Sequence, residues 1–188
     1  MNIQDFREMT EIREHWQEIK QFFTYRDVAA KTTLLYEGDI SQYIYFVERG
    51  ALRLWNNDDG RDITMQFFFE GQHVASFESF YLNTPSRFAI ECIEDSRVVM
   101  LSKADLNLLI ERFPAINNYM TEFACRRLID YMNFFLSRIK ESPEQRYCEL
   151  LQSNPDLLER VPHHYIASYL GITSVSLSRI RNRLKDEK

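Results

Sequence analysis

The sequence predicts an α+β chain: an N-terminal β-barrel, one long helix and a C-terminal helix-turn-helix. Three observations predict it. Gly38, Gly50, Gly60 and Gly71 punctuate a run of aromatic and β-branched segments at steps of 12, 10 and 11 residues, the turn spacing of an all-β sandwich or barrel. From about Ala115 to Lys140, apolar residues recur at helical steps. Finally, His164 to Leu184 places apolar, glycine and hydroxyl residues where two crossed helices need them.

Taken in order, residues 3–23 read as one helix with Phe6, Met9, Ile12, Trp16, Ile19 and Phe23 on one stripe. Strands are expected at 33–37, 43–48, 51–55 and 63–69, then at 88–94 and 97–101. Asn56-Asn-Asp-Asp-Gly60 marks a hairpin, because Asp-Gly supplies the positive φ such turns need. Residues 104–113 form a short helix ending before Pro114. In the long helix 115–140, Ile116, Met120, Phe123, Leu128, Tyr131, Met132, Phe135 and Ile139 cover more than one narrow stripe. One face is expected on the barrel and another on a second copy, which makes a homodimer. Glu141-Ser-Pro-Glu144 breaks the helix, and short helices follow at 144–152 and 156–159. The expected organisation is a barrel sensor domain over 1–114, a dimerisation helix over 115–141 and a helix-turn-helix domain over 142–188.

In that last domain Ile166, Leu170, Ile172, Leu177 and Ile180 are apolar where the two helices pack, and Ala167 is small where they pass closely. Gly171 stands at the turn and Thr173 caps the second helix through its hydroxyl. Such a second helix enters the major groove of double-stranded DNA with its N-terminal residues at the base edges. Ser174, Val175 and Ser178 are therefore expected to face bases, and Arg179 to reach a guanine. Arg181, Arg183 and Lys185 lie further along and are expected at phosphates.

Charge agrees with this division. Residues 1–141 hold 16 basic and 22 acidic residues, residues 142–188 hold 7 and 6, and Thr173 to Lys185 has four cations and no acid. An acidic body with one basic patch suits a DNA reader. The three cysteines, Cys92, Cys125 and Cys148, form no CxxC pair and are expected as small buried apolar residues. No run of 18 apolar residues can span a bilayer as a helix, and Met1 to Glu18 lacks the basic start and apolar core of a signal peptide. The expected location is the cytoplasm, with no membrane partner.

Barrel, long helix and terminal helix-turn-helix in this order resemble the Crp/Fnr family of the cyclic-AMP receptor protein and the fumarate-nitrate regulator. The landmarks are Leu35-Tyr-Glu-Gly-Asp39, Tyr45-Phe-Val-Glu-Arg-Gly-Ala-Leu-Arg53, Cys125-Arg-Arg-Leu128 and Ile166-Ala-Ser-Tyr-Leu-Gly-Ile-Thr173. The resemblance implies a double-stranded β-helix (jelly-roll) barrel like a cyclic-nucleotide-binding domain. It also implies a homodimer whose effector reorients the DNA-binding domains, with RNA polymerase as a further partner.

Departures matter as much. Relatives that bind cyclic nucleotides carry a Gly-Glu-Leu motif and an Arg-Ser pair around the phosphate and ribose. In their place stand Val74-Ala-Ser-Phe-Glu-Ser-Phe80 and Pro85-Ser-Arg-Phe88. Ser76 replaces the glutamate, and the pair falls on Pro85-Ser86 or Ser86-Arg87, where neighbours on a strand would face opposite ways. The implied effector pocket comprises Ser76, Phe77, Glu78, Ser79, Ser86, Arg87 and Phe88, with Tyr131 and Met132 from the long helix. Phe80 adds to its apolar lining, so the expected effector is unidentified, more apolar than cyclic AMP, or absent. No N-terminal cysteine cluster is present to hold iron–sulfur, and His73 is the only histidine in the barrel, so no cofactor or metal is expected. Ser174-Val175 replaces the Arg-Glu pair that relatives carry on the reading helix, and only Lys185-Asp-Glu-Lys188 stands where a β-hairpin wing usually follows. No catalytic constellation appears, Glu78 being the only carboxylate considered, so an enzyme is not expected. The competing reading is a sensor or adaptor acting through protein contacts without DNA.

Overall fold

In the computed structural model, residues 10–186 are described. The chain opens with α1 (Thr10–Glu14), α2 (Trp16–Ile19) and a 3₁₀ turn over Lys20–Phe22 rather than the single helix expected. Phe6 and Met9 of the expected stripe lie outside the described residues. Ile12 and Ile19 are fully buried as the stripe requires. Phe23, however, begins a strand, β1 (Phe23–Val28), which pairs antiparallel with a strand over 70 residues later. Its four inner residues are exposed, so no alternation announces it.

Seven more strands follow: β2 (Thr33–Leu35), β3 (Tyr43–Arg49), β4 (Leu52–Asp58), β5 (Arg61–Phe68), β6 (His73–Val74), β7 (Ala89–Cys92) and β8 (Ser96–Ser102). They form two antiparallel four-stranded sheets, ordered β1-β8-β3-β6 and β2-β7-β4-β5. Pairing of β1 with β8, β2 with β7, β3 with β6 and β4 with β5 is a long hairpin rolled on itself, a jelly roll. Asp59 and Gly60 both take positive φ, 50° and 84°, between the paired Asp58 and Arg61. That is the two-residue turn Asp-Gly favours. At Gly50 a Cβ would lie 2.3 Å from Ser96 Oγ, so only glycine permits this approach. Between β6 and β7 the chain forms α3 (Phe77–Leu82), where no helix was expected, closed by Asn83 in the left-handed region.

Four layers result. The first is α1, α2, α4 (Lys103–Arg112) and the start of α5 (Ala115–Lys140), packed through Ile12, Ile19, Leu106, Leu109 and Ile116. These meet Ile44, Phe46, Val99 and Leu101 on one face of the first sheet. Tyr45, Val47 and Val98 on its other face meet Leu52, Leu54, Phe68, Ile90 and Cys92 of the second sheet. Because β3 and β8 are buried on both faces, they read as unbroken apolar runs. The fourth layer is C-terminal: α6 (Pro143–Ser153), α7 (Leu157–Arg160), α8 (His163–Leu170) and α9 (Ser174–Asp186). It packs on the outer face of the second sheet, where Ala51, Phe67 and Ile93 join Tyr147, Leu157, Val161, Ile166, Leu170 and Leu177 in one cluster.

The helix boundaries follow local chemistry. Ser102 Oγ accepts from Asp105 N at 3.0 Å to start α4, and Ser142 with Gln145 forms a capping box behind Pro143 to start α6. Helix α5 keeps the expected limits, yet Ile116 is the only one of its 26 residues that is buried.

Candidate nucleic-acid interface and effector cavity

Helices α8 and α9 cross with Ile166, Ala167, Leu170 and Leu177 buried and Ile180 at 8% exposure. Gly171 ends α8 at φ 71°, and its N–H and that of Ile172 satisfy the carbonyls of Ser168 and Ala167. Thr173 Oγ1 accepts from Ser176 N at 3.1 Å, capping α9. Thr173 is thus occupied at the helix start. The outer face of α9 presents Ser174, Val175, Ser178 and Arg179 to solvent, Val175 being 61% exposed.

The remaining cations divide. Arg181 Nη1 lies 2.7 Å from His163 Nε2 and 3.0 Å from Nδ1, and burial, with the Arg181 charge, holds that imidazole below its ordinary pKa. Arg183 Nη1 donates to Glu144 Oε2 at 2.7 Å. Lys185 falls in the last turns of α9. Among the described residues Arg179 makes no hydrogen bond or ion pair that would draw it from the reading face.

Of the implied effector residues, the structure brings Ser76, Ser86 and Phe88 into one bonded group and Glu78 against Arg87. Ser86 Oγ lies 2.7 Å from the buried Ser76 Oγ and 2.6 Å from Phe88 O, while it accepts from Phe88 N. Ser79 Oγ donates to Thr84 O and accepts from Ser41 N at 2.9 Å. Ser76 and Ser86 thus satisfy each other, and Ser79 is satisfied by backbone groups. Phe77 is 58% exposed and stacks on Tyr81, Phe80 is buried under α3, and Phe88 packs at the rim of the inter-sheet core. Arg87 does not lie on a strand but in the connection to β7, where it reaches outward to Glu78 at 2.8 Å. Ser86 and Arg87 are therefore not on opposite strand faces as expected, because β7 begins only at Ala89. Tyr131 and Met132 stand exposed on α5.

A cavity of about 450 Å³ lies between α5 and the barrel at β5 and β6. Gln66 and Phe68 of β5, with Gln72 and His73, line one wall; Tyr119, Glu122, Phe123, Arg126, Arg127 and Asp130 of α5 line the other. None of the nine implied residues lines it. Arg126 pairs with Glu122, and Arg127 donates to Gln66 Oε1 at 2.9 Å and Tyr131 Oη at 3.0 Å. Two guanidinium groups and two carboxylates therefore face one polar space. Its mark in the sequence is the adjacent pair Arg126-Arg127 within the landmark Cys125-Arg-Arg-Leu128.

Of the cysteines, Cys92 is buried, which pushes its thiol up to about 11; Cys148 is half-buried; Cys125 is exposed on α5, contrary to expectation. Helical position outweighs the apolar preference there. Among the described residues no group of three or more His, Cys, Asp or Glu could hold a metal, and no helix is long and apolar enough to cross a membrane.

The cyclic nucleotide-binding domain model matches residues 25–113. A cyclic AMP receptor protein of Thermus thermophilus is 24% identical over 161 residues, 82% of this chain and 73% of that protein. Among solved structures, FixK2 of Bradyrhizobium japonicum superposes with a TM-score of 0.75 at 18% identity, covering 88% of this chain and 85% of that one. The c-di-GMP-responsive global regulator CLP of Xanthomonas campestris gives 0.73 at 16%, covering 93% and 92%.

Proposed function

We propose that this chain, whose barrel matches the cyclic nucleotide-binding domain model over residues 25–113, is a Crp/Fnr-type DNA-binding transcription regulator reading sequence through α9. The observation that carries the reading is the division of α9. Leu177 and Ile180 are buried in packing, while Ser174, Val175, Ser178 and Arg179 face water at the helix start. Small hydroxyls, an apolar contact and one free guanidinium suit base edges in a major groove. In this reading, residues 1–114 sense, 115–141 dimerise and 142–188 bind DNA. Arg181 and Arg183 must leave His163 and Glu144 before they can anchor phosphate together with Lys185.

The proposed homodimer rests on Leu128, Ile129, Met132, Phe135 and Ile139, which are between 57% and 68% exposed along α5. Its effector is a small molecule in the cavity beside Gln66 and Arg127, whose size is within the usual ligand range of roughly 300–1,000 Å³. Cyclic AMP is not the proposed effector, since Ser76 and Ser86 bond to each other where relatives hold the nucleotide. RNA polymerase is a further proposed partner, and catalysis forms no part of the reading. The adaptor reading draws on one observation, the internal bonding of Arg181 to His163 and Arg183 to Glu144, the second of which offsets one charge of the patch.

Selection from randomised duplexes tests the reading. Arg179→Ala is expected to relax preference at one base position by about 1–3 kcal/mol; unchanged selectivity removes Arg179 from the reading face. Salt dependence then counts anchors. Three phosphates per subunit give a log–log slope of about −5 for a dimer, and one per subunit about −2. Absence of any shift at low salt supports the adaptor instead.

A further inference from the structure

Strand β4 turns Leu52 and Leu54 into the inter-sheet core, so Arg53 between them points out of the barrel. An outward arginine belongs in water, yet Arg53 is 2% exposed. It is covered by α8. Its guanidinium carbon lies 3.6 Å from the centroid of the Tyr165 ring and 4.6 Å from that of Trp55, so the charge lies against both rings. Within the sheet Nη1 donates to Asp62 at 2.6 and 2.8 Å and Nη2 to Glu91 at 3.4 Å. The cluster crosses to the helix-turn-helix a second time, because Tyr165 Oη donates to Glu91 Oε1 at 3.1 Å. Beside it Ser168 Oγ accepts from Thr64 N at 2.8 Å and donates to Asp62 O at 2.7 Å. A side chain of α8 thus takes the place of a neighbouring strand on the open edge of β5.

Apolar contact alone lets one layer slide over another. A charge cluster with fixed hydrogen-bond directions does not, because any other placement breaks the Tyr165 bond to Glu91 and both Ser168 bonds to β5 and takes the Tyr165 ring off the Arg53 charge. We propose that Arg53, Asp62 and Glu91 form an interdomain posture lock. It grips α8 through Tyr165 and Ser168, and α9 offers Ser174 to Arg179 to DNA only in the gripped posture. Arg53 is then a positioning residue for recognition, although it contacts no DNA. This rests on the reading of α9 as the DNA helix, which the experiment separates from the lock itself.

The test uses the full chain with two readouts, hydrogen exchange and affinity for a duplex selected by the wild-type protein. In Arg53→Met, exchange across residues 61–68 and 163–170 is expected to quicken by about tenfold or more while β3 and β8 stay protected. Affinity falls by a similar factor with the salt slope unchanged, which distinguishes lost posture from a lost phosphate contact. Arg53→Lys, which keeps the charge but not the fork, recovers part of both effects. Tyr165→Phe and Ser168→Ala, nearly isosteric, give smaller shifts in the same direction and serve if Arg53→Met does not fold. Unchanged exchange in these variants overturns the lock. Faster exchange with equal or tighter DNA binding overturns the posture claim. A wild-type protein that selects no duplex sinks the reading of α9 and the posture claim with it, while exchange still decides whether Arg53 holds the helix.

Discussion

The outer face of the second sheet and the outer face of α5 are both unsuited to bare solvent, and the chain treats them differently. The sheet face carries Phe67, Ile93 and an arginine already bridging two carboxylates. The helix-turn-helix covers it, with Tyr165 and Ser168 meeting its donors and acceptors at 2.7 to 3.1 Å. The α5 face is apolar throughout and no described residue covers it; Phe135 is 68% exposed. A polar face needs one partner in one orientation, which the same chain supplies. An apolar stripe at helical spacing accepts any matching stripe, and a second copy has one.

The comparison breaks most readily at α5. Met132→Glu puts a carboxylate on the stripe, and two such charges in a seam cost several kcal/mol, about 3 or more, of association. Sedimentation velocity is expected to find monomer where the wild type is dimer; an unchanged dimer places the seam elsewhere. Leu177 lies in the covered cluster at 1% exposure. Leu177→Ala is expected to lower stability to denaturant by about 2–5 kcal/mol, against less than about 0.5 for Val175→Ala on the outer face. Equal losses would mean that α9 is packed on both sides.

The smallest effect concerns acid. Arg160 of α7 reaches Glu70 at 2.8 Å and also bonds Glu94, a second crossing between barrel and C-terminal layer. Burial pushes the Glu70 carboxyl up, but hydrogen bonds from Arg160 and Gly50 N–H and the arginine charge outweigh it, leaving the pKa below its ordinary 4.5. A carboxyl whose pKa is lower folded than unfolded adds stability above the unfolded value and loses it as pH falls through the folded one. Glu70→Gln should therefore narrow the difference between pH 6 and pH 3.5 in thermal scans, and the two proteins should converge toward the acid end. Parallel curves would mean that the pair is fully screened, which at 42% exposure of Glu70 sets the lower limit of the effect.

Much of this architecture was legible because its signals act over a few residues. Asp59-Gly60 required one turn type, Thr173 a cap and Gly171 a left-handed stop, and all three occur where the sequence places them. The apolar period of 115–140 marked α5 to within a residue at each end. Other features carried no local mark. Four exposed polar residues hid β1, and α3 was too short for its period to register. The cavity escaped because Gln66 and Arg127 are 61 residues apart and neither is unusual alone.

Periodicity and turn chemistry determined by themselves most strands and helices, β1 and α3 excepted, and which side of α9 is polar. Only the tertiary structure decided what those segments face. Thr64 and Ser168 meet across 104 residues, and the meeting buries Arg53. The reason is physical: backbone propensity is set by neighbours in the chain, whereas burial of a charge depends on whether a distant group arrives to pair with it.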